Sequence, residues 1–147
     1  MKVLIIGAGK AGIYLADKLR HDHTVTIVER RSDITDHLAT RLPGVRVIRG
    51  DGCEPVVLEH AGASDTDLAA ALTGSDEDNL VIALLFKHRH GVPLVLARTN
   101  HPNNEWLFNE DWGVDVAVSA ATVLDSLIEA KVGSVKVPDI ADRAESD

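Results

Sequence analysis

The chain has a single cysteine, Cys53, among 147 residues. One thiol cannot form an internal disulfide or a multi-cysteine metal centre, and its scarcity fits a reducing compartment. Aromatic residues make up 3% of the sequence, too few for the stacking platforms of single-strand nucleic-acid binders. Basic residues are also short: 15 Lys and Arg against 23 Asp and Glu leave a net charge of −8, the wrong sign for a phosphate backbone. No apolar run approaches the ~20 residues of a membrane-spanning helix, and Met1-Lys2 leads directly into a short strand-like segment rather than a signal sequence. These absences point to a cytoplasmic protein that neither binds nucleic acid nor inserts into the membrane.

Catalytic signatures are missing as well. No G-K-[ST] follows the first glycines at Walker spacing, so Lys10 is not a phosphoryl-transfer lysine and nucleotide hydrolysis is not expected. There is no G-x-S-x-G elbow, and Cys53 has no visible base beside it. The His21-x-His23 and His88-x-His90 pairs lack companions at metal-ligand spacing and read as solvated turn histidines. The expectation is a protein with no enzymatic activity and no metal.

What is present is a regular alternation. Val3-Leu4-Ile5-Ile6, Thr24 to Val28, Val45 to Ile48, Leu68 to Leu72, Leu94 to Ala97 and Val114 to Val118 read as strands separated by helix-like stretches. The alanines of Leu68 to Leu72 suit a helix as well, and only the surrounding alternation assigns that segment to a strand. Helices are expected from Lys10 to about Asp22, from a cap at Ser32 to Leu42, and from near Glu54 to Gly62. Others run from about Glu77 to His90, behind Pro102, and from Ser119 to about Val132. The pattern predicts an α/β fold: a Rossmann doubly wound parallel six-stranded sheet with helices on both faces, plus a C-terminal helix. Residues 1–132 form one domain in this reading, and 133–147 a charged, loose tail.

Gly7-Ala8-Gly9-Lys10-Ala11-Gly12 joins the first strand to the first helix. In that context Gly7 allows the tight turn, Gly9 lets backbone approach a pyrophosphate, and Gly12 allows close helix packing. The helix N-terminus supplies amides and partial positive charge to the phosphates. Lys10 either reaches a phosphate or is simply solvated. Glu29 ends the second strand 20 residues beyond Gly9, where a carboxylate accepts from both ribose hydroxyls. It would repel a 2′-phosphate, which favours NAD(H) or a plain adenosine nucleotide, although Arg30 and Arg31 pull the other way. Asp51, in the Gly50-Asp51-Gly52 turn, either meets the adenine amino group or is an ordinary loop aspartate. Thr73, Gly74 and Arg98 fall on the carboxyl edge of the sheet, where ligands of this architecture sit. Arg98 can pair with phosphate or with an acid on a neighbouring chain.

With these residues in place the chain resembles the TrkA-N domain, also called KTN or RCK, of potassium-uptake regulators. Ala61-Gly62-Ala63-Ser64-Asp65 is similar to the family's Ala-Gly-Ile-x-x-Ala-Asp, and Thr73-Gly74-Ser75-Asp76-Glu77-Asp78-Asn79 to its Thr-x-x-Asp-Glu-x-Asn. Leu96-Ala97-Arg98-Thr99 resembles Ile-Ala-Arg-Val, and Asn103-Asn104-Glu105 through Trp112-Gly113-Val114-Asp115 resembles the stretch before the last strand. The likeness covers roughly residues 1 to 130. It implies a cytoplasmic gating subunit, peripheral to the cell membrane, that binds NAD(H), ATP or ADP, forms dimers and larger rings, and controls a potassium channel or transporter. The ligand contacts it implies are Gly7 to Ala11, Glu29, Asp51, Thr73, Gly74 and Arg98.

Many family members carry a further C-terminal ligand domain, whereas about 15 residues follow the last predicted helix here. The chain is therefore read as either a single-domain member or a truncated one. Val123, Leu124, Leu127 and Ile128 give the last helix an apolar stripe that packs either on its own sheet or on a partner subunit. The Trp106, Leu107, Phe108 and Trp112 cluster either extends that surface or belongs to the core. Two rival readings are the cofactor-binding domain of an NAD-dependent oxidoreductase lacking its catalytic half, and a purely structural dimerisation module.

Overall fold

The computed structural model describes residues 1–120 and 127–130. Strands β1 (Lys2–Ile6), β2 (Thr24–Glu29), β3 (Arg46–Arg49), β4 (Leu68–Ala71), β5 (Leu94–Arg98) and β6 (Val116–Val118) form one parallel sheet in the order β3-β2-β1-β4-β5-β6. Helices α1 (Lys10–Leu19), α2 (Ser32–Arg41), α3 (Pro55–His60) and α4 (Asp76–Leu84) connect them. The expected doubly wound sheet is therefore observed. Between β3 and β4 the chain jumps back across β2 and β1, so a crevice opens at the carboxyl ends of β1 and β4, the switch point of this topology.

Burial on both faces explains why β1 is apolar from Val3 to Ile6, since successive side chains of a strand point to opposite faces. Val3 and Ile5 join Val25, Ile27, Leu38 and Ala70 in one core layer, whereas Leu4 and Ile6 join Val28, Leu58, Ile82 and Phe86 in the other. The alanines of β4 lie in the middle of the sheet between β1 and β5, with Ala69, Ala70 and Ala71 all at 0% exposure. Burial on both faces overrides their helix propensity.

Four local expectations change. Ser32 is the first residue of α2 rather than its cap; Arg31 holds the cap position, with extended backbone and no side-chain capping bond. The fourth helix becomes a π turn at Leu85–Arg89, where the His90 amide reaches back to the Leu85 carbonyl. The segment behind Pro102 is not α-helical: 3-10 turns occupy Pro102–Leu107 and Glu110–Trp112. Asn109 breaks it by accepting from the Asp111 amide and starting a new cap. Finally, β6 begins at Val116, because the Asp115 carboxylate takes the Val95 amide.

Phe108 is buried and Trp112 packs on the core, while Trp106 stays 74% exposed. Residues 127–130 are helical, with Leu127 and Ile128 exposed. Val123, Leu124 and the tail at 133–147 lie outside the described residues. Among the described residues no helix is long and apolar enough to cross a membrane.

Candidate functional site

At the switch point the chain leaves β1 through Gly7, whose φ of +107° is one that side-chain-bearing residues rarely adopt. A Cβ there would also lie 2.8 Å from the Leu72 carbonyl oxygen. The Gly7 amide bonds the Val28 carbonyl at 2.8 Å, which ties the turn to β2. Gly9 is the N-cap of α1, and the first bond of that helix runs from the Ile13 amide to the Gly9 carbonyl at 3.0 Å. The amides of the first turn therefore precede the helical ladder and no acidic side chain competes for them.

Above this turn lies a cavity of about 500 Å³, within the common range for small-molecule sites. Gly7, Gly9, Glu29, Asp51, Thr73, Gly74 and Arg98 line it, so seven residues named from the sequence converge from five separate segments. Ala8, Lys10, Ala11 and Gly12 do not line it. Ala8 is buried behind Glu29, Lys10 is exposed, Ala11 is half-buried, and Gly12 packs beneath the turn against the Gly7 carbonyl.

Glu29 is 5% exposed at the end of β2. Burial works against its charge, but the Arg31 guanidinium together with the Arg31 and Ala8 amides holds the carboxyl below its ordinary value. It is therefore a carboxylate at neutral pH, facing the glycine turn. The Asp51 carboxylate accepts from the Cys53 amide at 2.9 Å, which shapes the loop after β3. Burial, reinforced by the charges of Asp78 and Asp51, pushes the Cys53 thiol up to about 12, so this cysteine carries no thiolate chemistry near neutrality.

Two buried residues of α4 hold the other wall; of Ser75 and Asp76, the two candidates for the cap of this helix, Ser75 takes the cap and accepts from the Asp78 amide, which leaves Asp76 inside the first turn. Asn79 is fully buried in the first turn of α4. Its Oδ1 accepts from the Thr73 amide and hydroxyl, and its Nδ2 donates to the carbonyls of Thr73 and Arg98 at 3.0 and 2.9 Å. One side chain thus fastens the ends of β4 and β5 together. Asp76, 2% exposed, accepts from the Asn100 amide and side chain, the His101 amide and the Asn104 side chain. It anchors the loop that brings Asn100 to the cavity. Periodicity hides both, because a polar residue early in a helix ordinarily reads as solvated.

Burial opposes the charge of Asp76, yet its donors, led by Asn104, hold the carboxyl below the ordinary 3.8. A depressed folded value means that its stabilisation is complete above the unfolded value and is lost as pH falls through the folded one. Asp76→Asn is expected to lower the urea midpoint at about pH 7, with the gap to wild type narrowing as pH falls below the ordinary 3.8 and through the lower folded value. An unchanged gap would remove the carboxylate charge from the account.

The histidine pairs also divide. His21 and His88 are exposed, but His90 is 9% exposed with its Nδ1 at 2.9 Å from Ser64 Oγ, so the reading of a solvated histidine fails there. Burial, then Arg89, lowers its pKa and keeps the ring neutral. His90 caps the π turn and lies buried at its end. Among the described residues no three His, Cys, Asp or Glu side chains gather in a metal-holding group.

The model of the TrkA-N domain family matches residues 3–120. The chain belongs to this family. Among relatives of this TrkA-N chain, the Trk system potassium uptake protein TrkA of Mycobacterium tuberculosis is 44% identical over 133 residues, which are 90% of this chain and 60% of that protein. The TrkA-N chain thus spans about 60% of the length of that curated relative. Among solved structures, the GsuK channel bound to NAD superimposes with a TM-score of 0.69 at 24% identity, covering 80% of this chain and 21% of that one. GsuK bound to ADP gives 0.73 at 23%, covering 89% and 35%. At those identities the likeness establishes the TrkA-N fold alone.

Proposed function

We propose that this chain is the nucleotide-binding part of a cytoplasmic gating subunit for a membrane potassium channel or transporter. One observation carries the reading: the glycine turn, Glu29, Asp51, Thr73-Gly74 and Arg98 surround a single cavity at the switch point of a TrkA-N sheet. Support comes from the name of the Mycobacterium tuberculosis relative and from the NAD and ADP named with GsuK. NAD(H) is the favoured ligand, with ATP and ADP as competitors. The α1 N-terminus receives the phosphates, Glu29 the ribose, and Arg98 a phosphate across the crevice. No chemical step is assigned to the site. Binding acts by favouring one geometry of paired copies over another, which requires unequal affinity for the two.

Calorimetric titration of the purified chain tests this. NAD+, NADH, ATP and ADP are expected to compete for one site, with NADPH weakest because Glu29 repels its 2′-phosphate. Glu29→Ala is expected to weaken binding by about 10- to 100-fold, the value of hydrogen bonds to a buried charge. Gly9→Ala should do the same with the fold intact, because its Cβ meets nothing within 4 Å and projects from a wall of the cavity. No saturable binding by the folded wild type would leave the turn structural and the chain an assembly module.

A further inference from the structure

A carboxylate offers about four acceptor positions. Three of those on Glu29 are already taken: Oε1 accepts from the Ala8 amide at 3.1 Å and from Arg31 Nη2 at 2.7 Å, and Oε2 accepts from the Arg31 amide at 3.1 Å. A ribose diol set against a carboxylate donates two hydrogen bonds. Only one position is open to it. The amides of Ala8 and Arg31 belong to the glycine turn and to the entry of α2, so neither leaves without rebuilding the backbone. The guanidinium is different: its side chain is 51% exposed, and Glu29 is its only ion-pair partner among the described residues.

We propose that Arg31 is the specificity-determining residue at the ribose, competing with the 2′-hydroxyl for Glu29; this rests on the nucleotide reading of the cavity. A ligand carrying both hydroxyls binds by displacing the guanidinium into water, where it is readily solvated. A ligand without the 2′-hydroxyl places its 3′-hydroxyl on the open position and leaves the Arg31–Glu29 pair closed. Arg31 therefore lowers affinity for ribonucleotides below what Glu29 alone confers, and it narrows the preference for ribose over deoxyribose. Because Glu29 also holds the Ala8 amide, the exchange takes place against the glycine turn itself.

The test is calorimetric titration of wild type, Arg31→Ala and Arg31→Gln with ADP and with 2′-deoxy-ADP, after melting curves establish that each variant folds. Arg31→Ala is expected to tighten ADP about 3- to 30-fold, the range between an exposed ion pair and a hydrogen bond to a charged group. Affinity for 2′-deoxy-ADP should stay within about twofold, since its binding leaves the pair closed. Arg31→Gln keeps a neutral donor and should fall between, and it carries the test if the alanine variant does not fold. Unchanged or weaker ADP binding in the variants, or an equal gain for both nucleotides, overturns the role of Arg31 while leaving the site intact. Failure of the wild type to bind either nucleotide overturns the nucleotide reading and this proposal with it.

Discussion

Gly12→Ala is expected to destabilise the domain by more than about 3 kcal/mol, seen as loss of a cooperative urea transition or a large fall in its midpoint. The added Cβ would overlap the Gly7 carbonyl oxygen, a backbone atom of the glycine turn with little room to retreat. Gly7 cannot yield readily, since its amide is bonded to Val28 and its own Cβ position faces the Leu72 carbonyl. The control lies three residues earlier. Gly9 has a φ of −77° and open space around its Cβ position, so Gly9→Ala should stay within about 1 kcal/mol of wild type. Two glycines of one motif thus separate: Gly12 answers to folding and Gly9 to the ligand. Equal stability of the two variants would disprove the close approach.

The second large effect is expected at Asn79. Asn79→Ala removes both halves of the amide that pins β4 to β5, leaving the half-buried Thr73 amide and Arg98 carbonyl without this partner, while the Thr73 carbonyl keeps only the Asn100 side chain. A buried group stripped of its hydrogen bond costs about 1–3 kcal/mol, and two backbone groups lose theirs here. The expected loss is about 3–4 kcal/mol by chemical denaturation. Nucleotide affinity should fall in parallel, because Thr73 and Arg98 form the wall opposite Glu29. A stable variant with weakened binding would make Asn79 a positioning residue alone, and a stable variant with normal binding would remove it from both roles.

Both effects concern residues that the sequence presents unequally. The glycine string is legible because Gly7 and Gly12 are required by local geometry, one by a positive φ and one by contact with its own turn. Glu29 is legible because strand length and the position of the turn place it at the sheet's edge. Asn79 and Asp76 are not, since their hydrogen bonds reach 6 to 28 residues along the chain and leave no periodic trace. The same holds for His90, which reads as a turn histidine but lies buried at the end of the π turn.

Local pattern by itself determined the parallel α/β class, the six strands and the glycine turn, because apolar period, cap residues and glycine spacing act over a few residues. Even the alanine-rich β4 followed from alternation. Tertiary structure alone decided which residues share the cavity, that Ala8, Lys10, Ala11 and Gly12 stand outside its lining, and that Arg31 already occupies part of the Glu29 carboxylate. Those facts depend on where the sheet's switch point brings separate loops together, and on competition for a finite number of hydrogen-bonding positions. Neither is encoded in any one segment.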